Sequence, residues 1–369
     1  MIVLKAAQEP LLGSLQAVAG IVERRHTLPI LGNVLLRKVG SKTEFTTSDL
    51  EIQVRTAAEL GGDDSSFATT VGARKLIEIL RALPSDQVVT LTAAQNRLVL
   101  AAGRSRFTLQ TLPADDFPLA NEALDLGPGF AVPQQTLRAL INQVHFAMAV
   151  HDIRYYLNGI LFIAEGTALT LVATDGHRLA LAQAELDAEV PSRQEVILPR
   201  KTVLELQRLL KDDAAPIEMR FSNNQAKFVF GALEFVTKLV EGKFPDYNRV
   251  IPKSHQRAVQ LGREPLLASL QRAAILTSEK FKGVRLAFEP GVLRIGASNA
   301  EQEEAQEELE IDYDGEVIEL GFNVTYLTEA LATIGEETVR IELQDAAGSA
   351  LMTVPGRAGF KYVVMPMRI

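Results

Sequence analysis

The sequence predicts an α+β protein made of three similar domains, each with two helices packed on mostly antiparallel strands. One observation is that the order helix, long hairpin, helix and three strands occurs three times along the chain. A second is that Gly32, Gly159 and Gly283 stand at comparable points of the three copies, 127 and 124 residues apart. This period is far longer than that of solenoid repeats, so each copy is large enough to hold its own core. The predicted domain ranges are 1–122, 123–250 and 251–369.

The composition indicates a chain with several ordinary cores and no cysteine chemistry. Of its 369 residues, 47% are hydrophobic and 23% are charged, and there is no Cys. The lack of Cys excludes a disulfide framework, thiolate zinc sites and a cysteine nucleophile, and it suits a reducing compartment. No apolar run has the form of a signal peptide or the length of a membrane span. We therefore expect a soluble cytoplasmic protein.

The first copy begins with a predicted helix over 10–22, whose apolar face is formed by Leu11, Leu15 and Val18. A second helix is predicted over 72–83, and Pro84 closes it. The other elements predicted in this copy are a strand over 30–36, a hairpin over 45–54, strands over 88–92, 97–101 and 106–112, and a linker over 113–118.

The second and third copies repeat this order, and Phe244-Pro245 at the exit of the second matches Phe117-Pro118 at the exit of the first. The second copy has a predicted helix over 134–148 and another that residues 198–201 lead into and that runs through 210. Its other predicted elements are a strand from 157, a hairpin over 160–186, and strands over 217–221, 227–230 and 233–240. The third has predicted helices over 264–276 and 322–332, a strand over 281–286, a hairpin over 293–311, and strands over 339–343, 350–354 and 359–365.

The hairpin of the second copy contains the stretch Thr174-Asp175-Gly176-His177-Arg178-Leu179. Asp-Gly accepts the positive φ that a tight turn between strands needs. Asp175 and His177 are the best candidates for a hydrolase centre, although Thr174, three residues from His177 around a tight turn, does not define a base–nucleophile pair. A second interpretation is a structural turn with a hydrogen-bonded His. A third is a rim on which Leu179 and the donors of His177 and Arg178 grip a peptide.

The C-terminal stretch after Tyr362 has an unusual composition. Met365 and Met367 flank Pro366 directly after a predicted strand. Methionine is adaptable and is frequent on surfaces that bind several partners, so this stretch is a candidate binding element. The alternative is a last core strand followed by a fraying tail.

Two runs of opposite charge are candidates for pairing between chains. Arg104 and Arg106 make the run 103–107 basic, and we expect them to share one strand face. The run 301–308 is strongly acidic, and we expect Glu301, Glu303 and Glu307 to share another. Open strand edges tend to pair, and complementary charge favours joining the first domain of one chain to the third of another, head to tail. The alternative is that both runs are solvated surface.

A ring lined by the predicted helices has a calculable opening. With axes about 9 Å apart and helices about 10 Å thick, six helices from one chain leave a hole of about 7 Å. Twelve helices from two chains leave a hole of about 24 Å, which admits a nucleic-acid duplex. The net charge of −8 does not exclude this partner, because only the inner wall needs positive potential. Candidate wall residues are Arg24, Arg25, Arg74, Lys75, Arg81, Arg138, Arg200, Lys201, Arg208, Lys211 and Arg272.

Several enzyme and cofactor motifs are absent from the sequence. There is no Walker-type Gly-rich loop, no GxGxxG after a strand and no HExxH. The five histidines show no metal-ligand spacing. We expect no catalytic residues, no cofactor and no metal.

Six motifs together make essentially the whole chain resemble the bacterial DNA polymerase III β subunit family, the sliding clamps. The motifs are Arg24-Arg25-His26-Thr27-Leu28-Pro29-Ile30-Leu31, Arg154-Tyr155-Tyr156-Leu157-Asn158-Gly159, the stretch 174–179, Phe244-Pro245-Asp246-Tyr247, Gly321-Phe322-Asn323-Val324 and the stretch 362–368. The resemblance implies a head-to-tail homodimeric ring of six similar domains, the DNA clamp fold, around double-stranded DNA, with no sequence specificity and no enzymatic activity. It also implies an ATP-driven clamp loader as a partner. The replicative polymerase, other polymerases and repair proteins would bind through short peptides between the second and third domains.

The resemblance further assigns three sets of residues. The peptide pocket would comprise Leu157, Thr174, Gly176, His177, Arg178, Leu179, Pro245, Arg249, Val250, Asn323, Tyr326, Val363, Val364, Met365, Pro366, Met367 and Arg368. The DNA-facing residues would be Arg24, His151, Tyr155, Tyr156, Arg200 and Lys201. The dimer contact would include Arg104, Arg106, Phe107, Ile275, Leu276, Glu301, Glu303 and Glu304. The competing hypotheses are a hydrolase centred on Asp175 and His177, and a scaffold that binds partners but not DNA.

Overall fold

The computed structural model describes residues 2–23, 27–62, 65–121, 125–253, 257–278 and 280–368. The helices are α1 (Gln8–Val18), α2 (Ala73–Arg81), α3 (Gln134–Val144), α4 (Arg200–Leu209), α5 (Arg263–Ala274) and α6 (Val324–Thr333). The strands are β1 (Ile2–Ala7), β2 (Asn33–Val39), β3 (Lys42–Ser48), β4 (Ile52–Glu59), β5 (Phe67–Gly72), β6 (Val88–Ala94), β7 (Arg97–Ala102), β8 (Ser105–Leu112), β9 (Phe130–Pro133), β10 (Gly159–Glu165), β11 (Ala168–Thr174), β12 (Arg178–Glu185), β13 (Gln194–Pro199), β14 (Pro216–Phe221), β15 (Gln225–Phe230), β16 (Leu233–Lys238), β17 (Arg257–Gly262), β18 (Gly283–Glu289), β19 (Val292–Ser298), β20 (Glu304–Glu310), β21 (Ile318–Asn323), β22 (Thr338–Leu343), β23 (Ala350–Val354) and β24 (Arg357–Val364).

One pattern accounts for these elements in the described ranges: a strand, a helix and three further strands, repeated six times. Each helix begins at the residue directly after a strand, as at Gln8 after β1 and Val324 after β21. The sequence predicted the six helices but missed the strands in front of them. These strands are only four to six residues long, which is too short for a period of two to stand out beside a helical pattern. Each predicted domain range therefore contains two copies of the repeat.

Several predicted boundaries are wrong by a few residues, because short 3-10 turns replace regular structure. The helix predicted over 10–22 ends as α1 at Val18, and the turn Ala19–Ile21 follows it. The strand predicted from residue 30 begins only at Asn33, since Pro29–Gly32 forms another such turn. Proline supplies a fixed φ and lacks a donor, so it suits the first position of a helical turn and not a strand ladder.

The strands form three antiparallel sheets. The first has twelve strands in the order β1-β6-β7-β8-β5-β2-β3-β4-β16-β15-β14-β9. The second has the order β13-β10-β11-β12-β24-β23-β22-β17, and the third has the order β20-β19-β18-β21.

Contacts divide the chain into two compact units. Unit 1 comprises 1–135 and 208–239 and holds the twelve-stranded sheet, and unit 2 comprises 136–207 and 240–369 and holds the other two. The three domain ranges given above stay a prediction.

Within unit 2, the pairing of β12 with β24 brings the stretch after the Asp-Gly turn beside the last strand of the chain. Leu179 stands opposite Val363 in this ladder. Both side chains belong to a buried cluster with Leu157, Leu161 and Phe244. Burying each such side chain stabilises the folded state by about 1.5–3 kcal/mol. The cluster therefore provides a stable floor under the turn. In the ranges described, no helix is both long and apolar enough to cross a membrane.

Candidate functional site

The turn between β11 and β12 is held by its own side chains. Asp175 Oδ1 accepts hydrogen bonds from the backbone N of His177 at 2.9 Å and of Arg178 at 3.0 Å. Thr174 Oγ1 donates to the Arg178 carbonyl at 2.6 Å and accepts from Gly176 N at 3.1 Å. Gly176 has φ +90, the left-handed value that favours glycine. The tight turn predicted at Asp175-Gly176 is therefore present, and Gly176 and His177 lie at its exposed tip.

Arg178 points from the start of β12 into the protein and is only 9% exposed. Its Nε donates to Asp175 Oδ2 at 3.1 Å, its Nη1 donates to Glu329 Oε2, and its Nη2 donates to the Phe146 carbonyl at 2.6 Å. The guanidinium carbon lies 4.4 Å from the centre of the Tyr326 ring. Burial alone would lower the pKa of Arg178, but Tyr362, Glu329 and Asp175 outweigh burial and raise that pKa above its usual value.

A cavity of about 210 Å³ opens beside this turn. It is lined by Arg154, Leu157, Thr174, Gly176, His177, Arg178, Leu179, Phe244, Pro245, Tyr247, Val250, Val363 and Met365. Its floor is apolar, because Leu157, Leu179, Phe244 and Val363 belong to the core cluster of unit 2. An apolar cavity with a few polar groups at its rim fits a short peptide with apolar side chains.

Arg154 forms one side of the cavity and was not among the predicted pocket residues. Its Nη2 donates to Asp152 Oδ2 at 2.8 Å and to the Asp175 carbonyl at 3.2 Å. Hydrogen bonds from Arg154 lower the pKa of Asp152 to about 2. Prediction also missed Phe244 and Tyr247, although the sequence carried a signal for them. They lie in the exit stretch 244–247 of the second copy, which is one of the six family motifs.

The C-terminal stretch closes another side of the cavity. Met365 N donates to the His177 carbonyl at 2.9 Å, and Met367 N donates to the Gly321 carbonyl at 2.8 Å. These two bonds hold the chain on both sides of Pro366, while the Met365 side chain stays 48% exposed. The backbone of this stretch is therefore held in place, and the Met365 side chain stands exposed at the opening. Its role as a binding element stays a prediction.

Seven of the predicted pocket residues lie outside the cavity lining, and each has a defined place. Asn323 Oδ1 caps α6 by accepting from Thr325 N at 3.0 Å, and the Tyr326 ring covers the Arg178 guanidinium. The exposed Arg249 pairs with Asp246 at 3.0 Å. The others are Val364, buried in β24, and Pro366, Met367 and Arg368, which continue from the Met365 side of the cavity.

The hydrogen bonds of the turn do not support the hydrolase hypothesis. A nucleophilic hydroxyl must give its proton to a base, but Thr174 Oγ1 is buried and donates to a backbone carbonyl. The Asp175 carboxylate accepts from His177 N, Arg178 N and Arg178 Nε, so both of its oxygens hold the turn. Among the residues that the structure describes, no group of three or more His, Asp or Glu side chains could hold a metal ion.

Comparison with known proteins identifies the family. Family models of the three domains of the DNA polymerase III beta subunit match the chain. The N-terminal domain matches residues 3–121, the central domain 131–246 and the C-terminal domain 248–368. The chain belongs to the DNA polymerase III beta subunit family. It is 46% identical over 367 residues to the beta sliding clamp of Pseudomonas aeruginosa, covering 98% of each chain. The predicted family is thereby confirmed.

Solved structures of beta subunits have the same fold. The crystal structure of DNA polymerase III subunit beta from Pseudomonas aeruginosa matches with a TM-score of 0.95 at 43% identity, covering all of both chains. A structure of the sliding clamp from that organism bound to griselimycin matches equally well, with a TM-score of 0.95 at 43% identity and full coverage of both chains. The predicted α+β clamp fold is confirmed by these matches.

Three of the six residues predicted to face DNA lie in one loop before β10. His151 is exposed with φ +56, and Tyr155 is 56% exposed. Tyr156 is half-buried and packs against the core cluster of unit 2. Arg200 and Lys201 form the first turn of α4 and are half-buried, whereas Arg24 lies outside the described residues.

The two charged runs of the chain lie at open strand edges. Residues 105–110 of β8 pair with β7 on one side, and β5 reaches β8 only at Thr111 and Leu112. In the described part of the chain, β20 pairs with β19 alone and ends its sheet. The remaining predicted dimer residues are Phe107, half-buried on β8, and Ile275 and Leu276 after α5, of which Ile275 is 77% exposed.

The strand faces predicted for these runs are wrong. β20 begins at Glu304, and Glu301 and Glu303 lie in the preceding turn, where Asn299 Oδ1 accepts from their backbone N atoms at 3.1 and 2.9 Å. Glu307 lies on the α5 side of β20, where Arg272 Nε donates to its Oε1 at 2.8 Å. Likewise Arg104 lies in the turn before β8, so it does not share a strand face with Arg106. An Asx turn, which the charge pattern did not reveal, shifts the start of the acidic strand.

We expect Gly176→Ala to weaken peptide binding in the cavity about tenfold, as measured by fluorescence anisotropy. A Cβ at this position would lie 3.0 Å from both Nη atoms of Arg154, and φ +90 costs an L-residue about 1–2 kcal/mol. The control is Gly166→Ala, at φ +58 with no atom within 4 Å of its Cβ. An equal loss of affinity in both variants would contradict a specific role for Gly176.

Proposed function

We propose that the chain is a DNA polymerase processivity factor: a homodimeric ring that encircles double-stranded DNA and tethers DNA polymerases. The observation that carries this proposal is the match of the whole chain to beta sliding clamps, at 46% identity over 98% of both chains. Contacts with DNA would be to phosphates and independent of sequence, so they would weaken with salt. The candidates are Arg24, His151, Tyr155, Tyr156, Arg200 and Lys201.

The dimer is proposed to form head to tail between strand edges of opposite charge. The β8 edge of one protomer carries Arg106, with Arg104 in the turn before it. The β20 edge carries Glu304, with Glu301 and Glu303 in its own preceding turn. Edge strands pair through their free backbone groups, and complementary charge sets which edges meet. The exposed Ile275 would add apolar contact beside the edge.

The cavity in unit 2 is proposed as the site for short peptides of partner proteins. Its apolar floor would bury the apolar end of the peptide, and the exposed Gly176 and His177 would border its polar part. The partners would be the replicative polymerase, other polymerases and repair proteins, with a clamp loader that opens the ring. The griselimycin-bound sliding clamp of Pseudomonas aeruginosa supports ligand binding as a property of such clamps.

The proposed role requires neither catalysis nor a cofactor. Thr174 and Asp175, the candidates for hydrolytic chemistry, use their polar atoms to hold the turn. Positioning a partner on DNA is a matter of binding, and the chemistry belongs to the tethered polymerase. Because bacterial DNA replication takes place in the cytoplasm, we propose that location.

Peptide binding tests the proposed pocket. A short peptide with a Gln and a Leu-Phe-type apolar end should bind the protein in calorimetry. Deleting residues 365–369 should weaken it about tenfold, because the cavity loses Met365 and the backbone bond to the His177 carbonyl. Ile369 itself lies outside the described residues.

A shorter deletion serves as the control. Removing residues 368–369 leaves Met365 and Met367 and their backbone bonds in place, so affinity should stay close to that of the full chain. Unchanged affinity after the longer deletion would show that the C-terminal stretch is not part of the pocket.

A further inference from the structure

We infer that Glu329, which does not line the cavity, is a positioning residue for the peptide pocket. This inference rests on the proposed function, since it concerns how that same pocket is held ready. Glu329 lies on α6, and its carboxylate accepts from Arg178 Nη1. The geometry points to a relay in which Glu329 fixes Arg178, Arg178 fixes Asp175, and Asp175 fixes the backbone of the pocket rim.

The first step of the relay is the position of the guanidinium. Arg178 is 9% exposed, and its side chain is held from three sides by Glu329, Asp175 and the Phe146 carbonyl. The Tyr326 ring, from the same helix as Glu329, covers it at 4.4 Å. A guanidinium is planar with donors in fixed directions, so these partners together define one orientation.

The second step is the position of the Asp175 carboxylate. Oδ2 accepts from Arg178 Nε at 3.1 Å, which leaves Oδ1 aimed at the two backbone N atoms of the turn. Those N atoms belong to His177 and Arg178, and the His177 carbonyl in turn accepts from Met365 N. Both walls of the cavity opening, the turn and the C-terminal stretch, therefore depend on the same carboxylate.

All three guanidinium nitrogens of Arg178 already donate within the protein, and the side chain is only 8% exposed. Arg178 is therefore inferred to act through the rim, and not as the direct donor to the peptide that was expected from the sequence. Three of its nitrogens donate to Asp175, Glu329 and Phe146. Its effect on affinity is exerted through preorganisation of the rim, which reduces the entropy lost when a ligand binds. Since Glu329 is itself 42% exposed, changing it should disturb the relay without unfolding the protein.

The test compares Glu329→Gln, Glu329→Asp and the full native chain for binding of the Gln- and Leu-Phe-containing peptide. We expect Glu329→Gln to weaken binding about fivefold and Glu329→Asp, which keeps the negative charge, to restore most of the affinity. Hydrogen exchange followed by mass spectrometry should show faster exchange across 174–178 in Glu329→Gln. A role limited to global stability would not change exchange in this segment selectively.

The control is Glu316→Gln, which removes an 87% exposed carboxylate paired with Arg257 in the same unit. It should leave both affinity and exchange across 174–178 unchanged. Native affinity in Glu329→Gln, or lost affinity with unchanged exchange in the turn, would overturn the inference. Failure of the native chain to bind the peptide would instead reject the proposed pocket, so the two results are distinguishable.

Discussion

Loaded on nicked circular DNA by a clamp loader, the protein should remain bound through a high-salt wash and should be lost when the circle is linearised. Phosphate contacts alone would not survive the wash, because a protein with 6–10 such contacts loses roughly 10³–10⁵ in affinity between 50 and 200 mM salt. Retention that depends on the circle therefore reports a closed ring. Gel filtration of the DNA–protein mixture before and after cleavage of the circle measures it.

The double variant Arg104→Glu with Arg106→Glu should abolish this retention and sediment as a monomer. It places like charges against the acidic edge at β20, where opposite charges are proposed to meet. Arg37→Glu, an exposed change on β2, makes a matched control and should behave like the native chain. Equal retention of the native protein on circular and linear DNA would contradict topological binding. No retention on either DNA would favour the scaffold hypothesis.

Arg178→Leu should lower the free energy of unfolding of the protein by about 3 kcal/mol, measured by urea denaturation. The change removes the donor shared by Asp175, Glu329 and the Phe146 carbonyl and leaves these acceptors without it. Losing one member of a buried charged set costs about 3–5 kcal/mol, and the partial exposure of Glu329 places this case at the lower end.

The control for this prediction is Arg193→Leu, which also removes an arginine with two carboxylate partners. Arg193 pairs with Glu165 and Glu195, but its side chain is 54% exposed. Exposed pairs contribute about 0–1 kcal/mol because water screens them and replaces their hydrogen bonds. A similar loss of stability in both variants would mean that burial does not determine how much the Arg178 interactions contribute to the free energy of unfolding.

The sequence alone was sufficient for much of the architecture. The order of six helices, the hairpins and the Asp-Gly turn at Gly176 were predicted correctly, since they depend on local periodicity and backbone preference. Leu157, Leu179 and Val363, which were assigned to the peptide pocket, line one cavity in the structure, and their role in peptide binding stays a prediction. These assignments came from the resemblance to a family, because no local sequence pattern shows that Leu157 and Val363 lie close together.

Only the tertiary structure decided what the polar residues of the site do. The sequence shows that residue 178 is an arginine, but it does not show whether the donors of Arg178 face a peptide or the protein. Its partners Phe146 and Glu329 are 32 and 151 residues away along the chain. The faces of Glu301, Glu303 and Glu307 depended on where β20 begins, which an Asx turn at Asn299 sets. Periodicity records which side of an element is apolar, but the direction and pairing of a charged side chain depend on groups brought near it by folding.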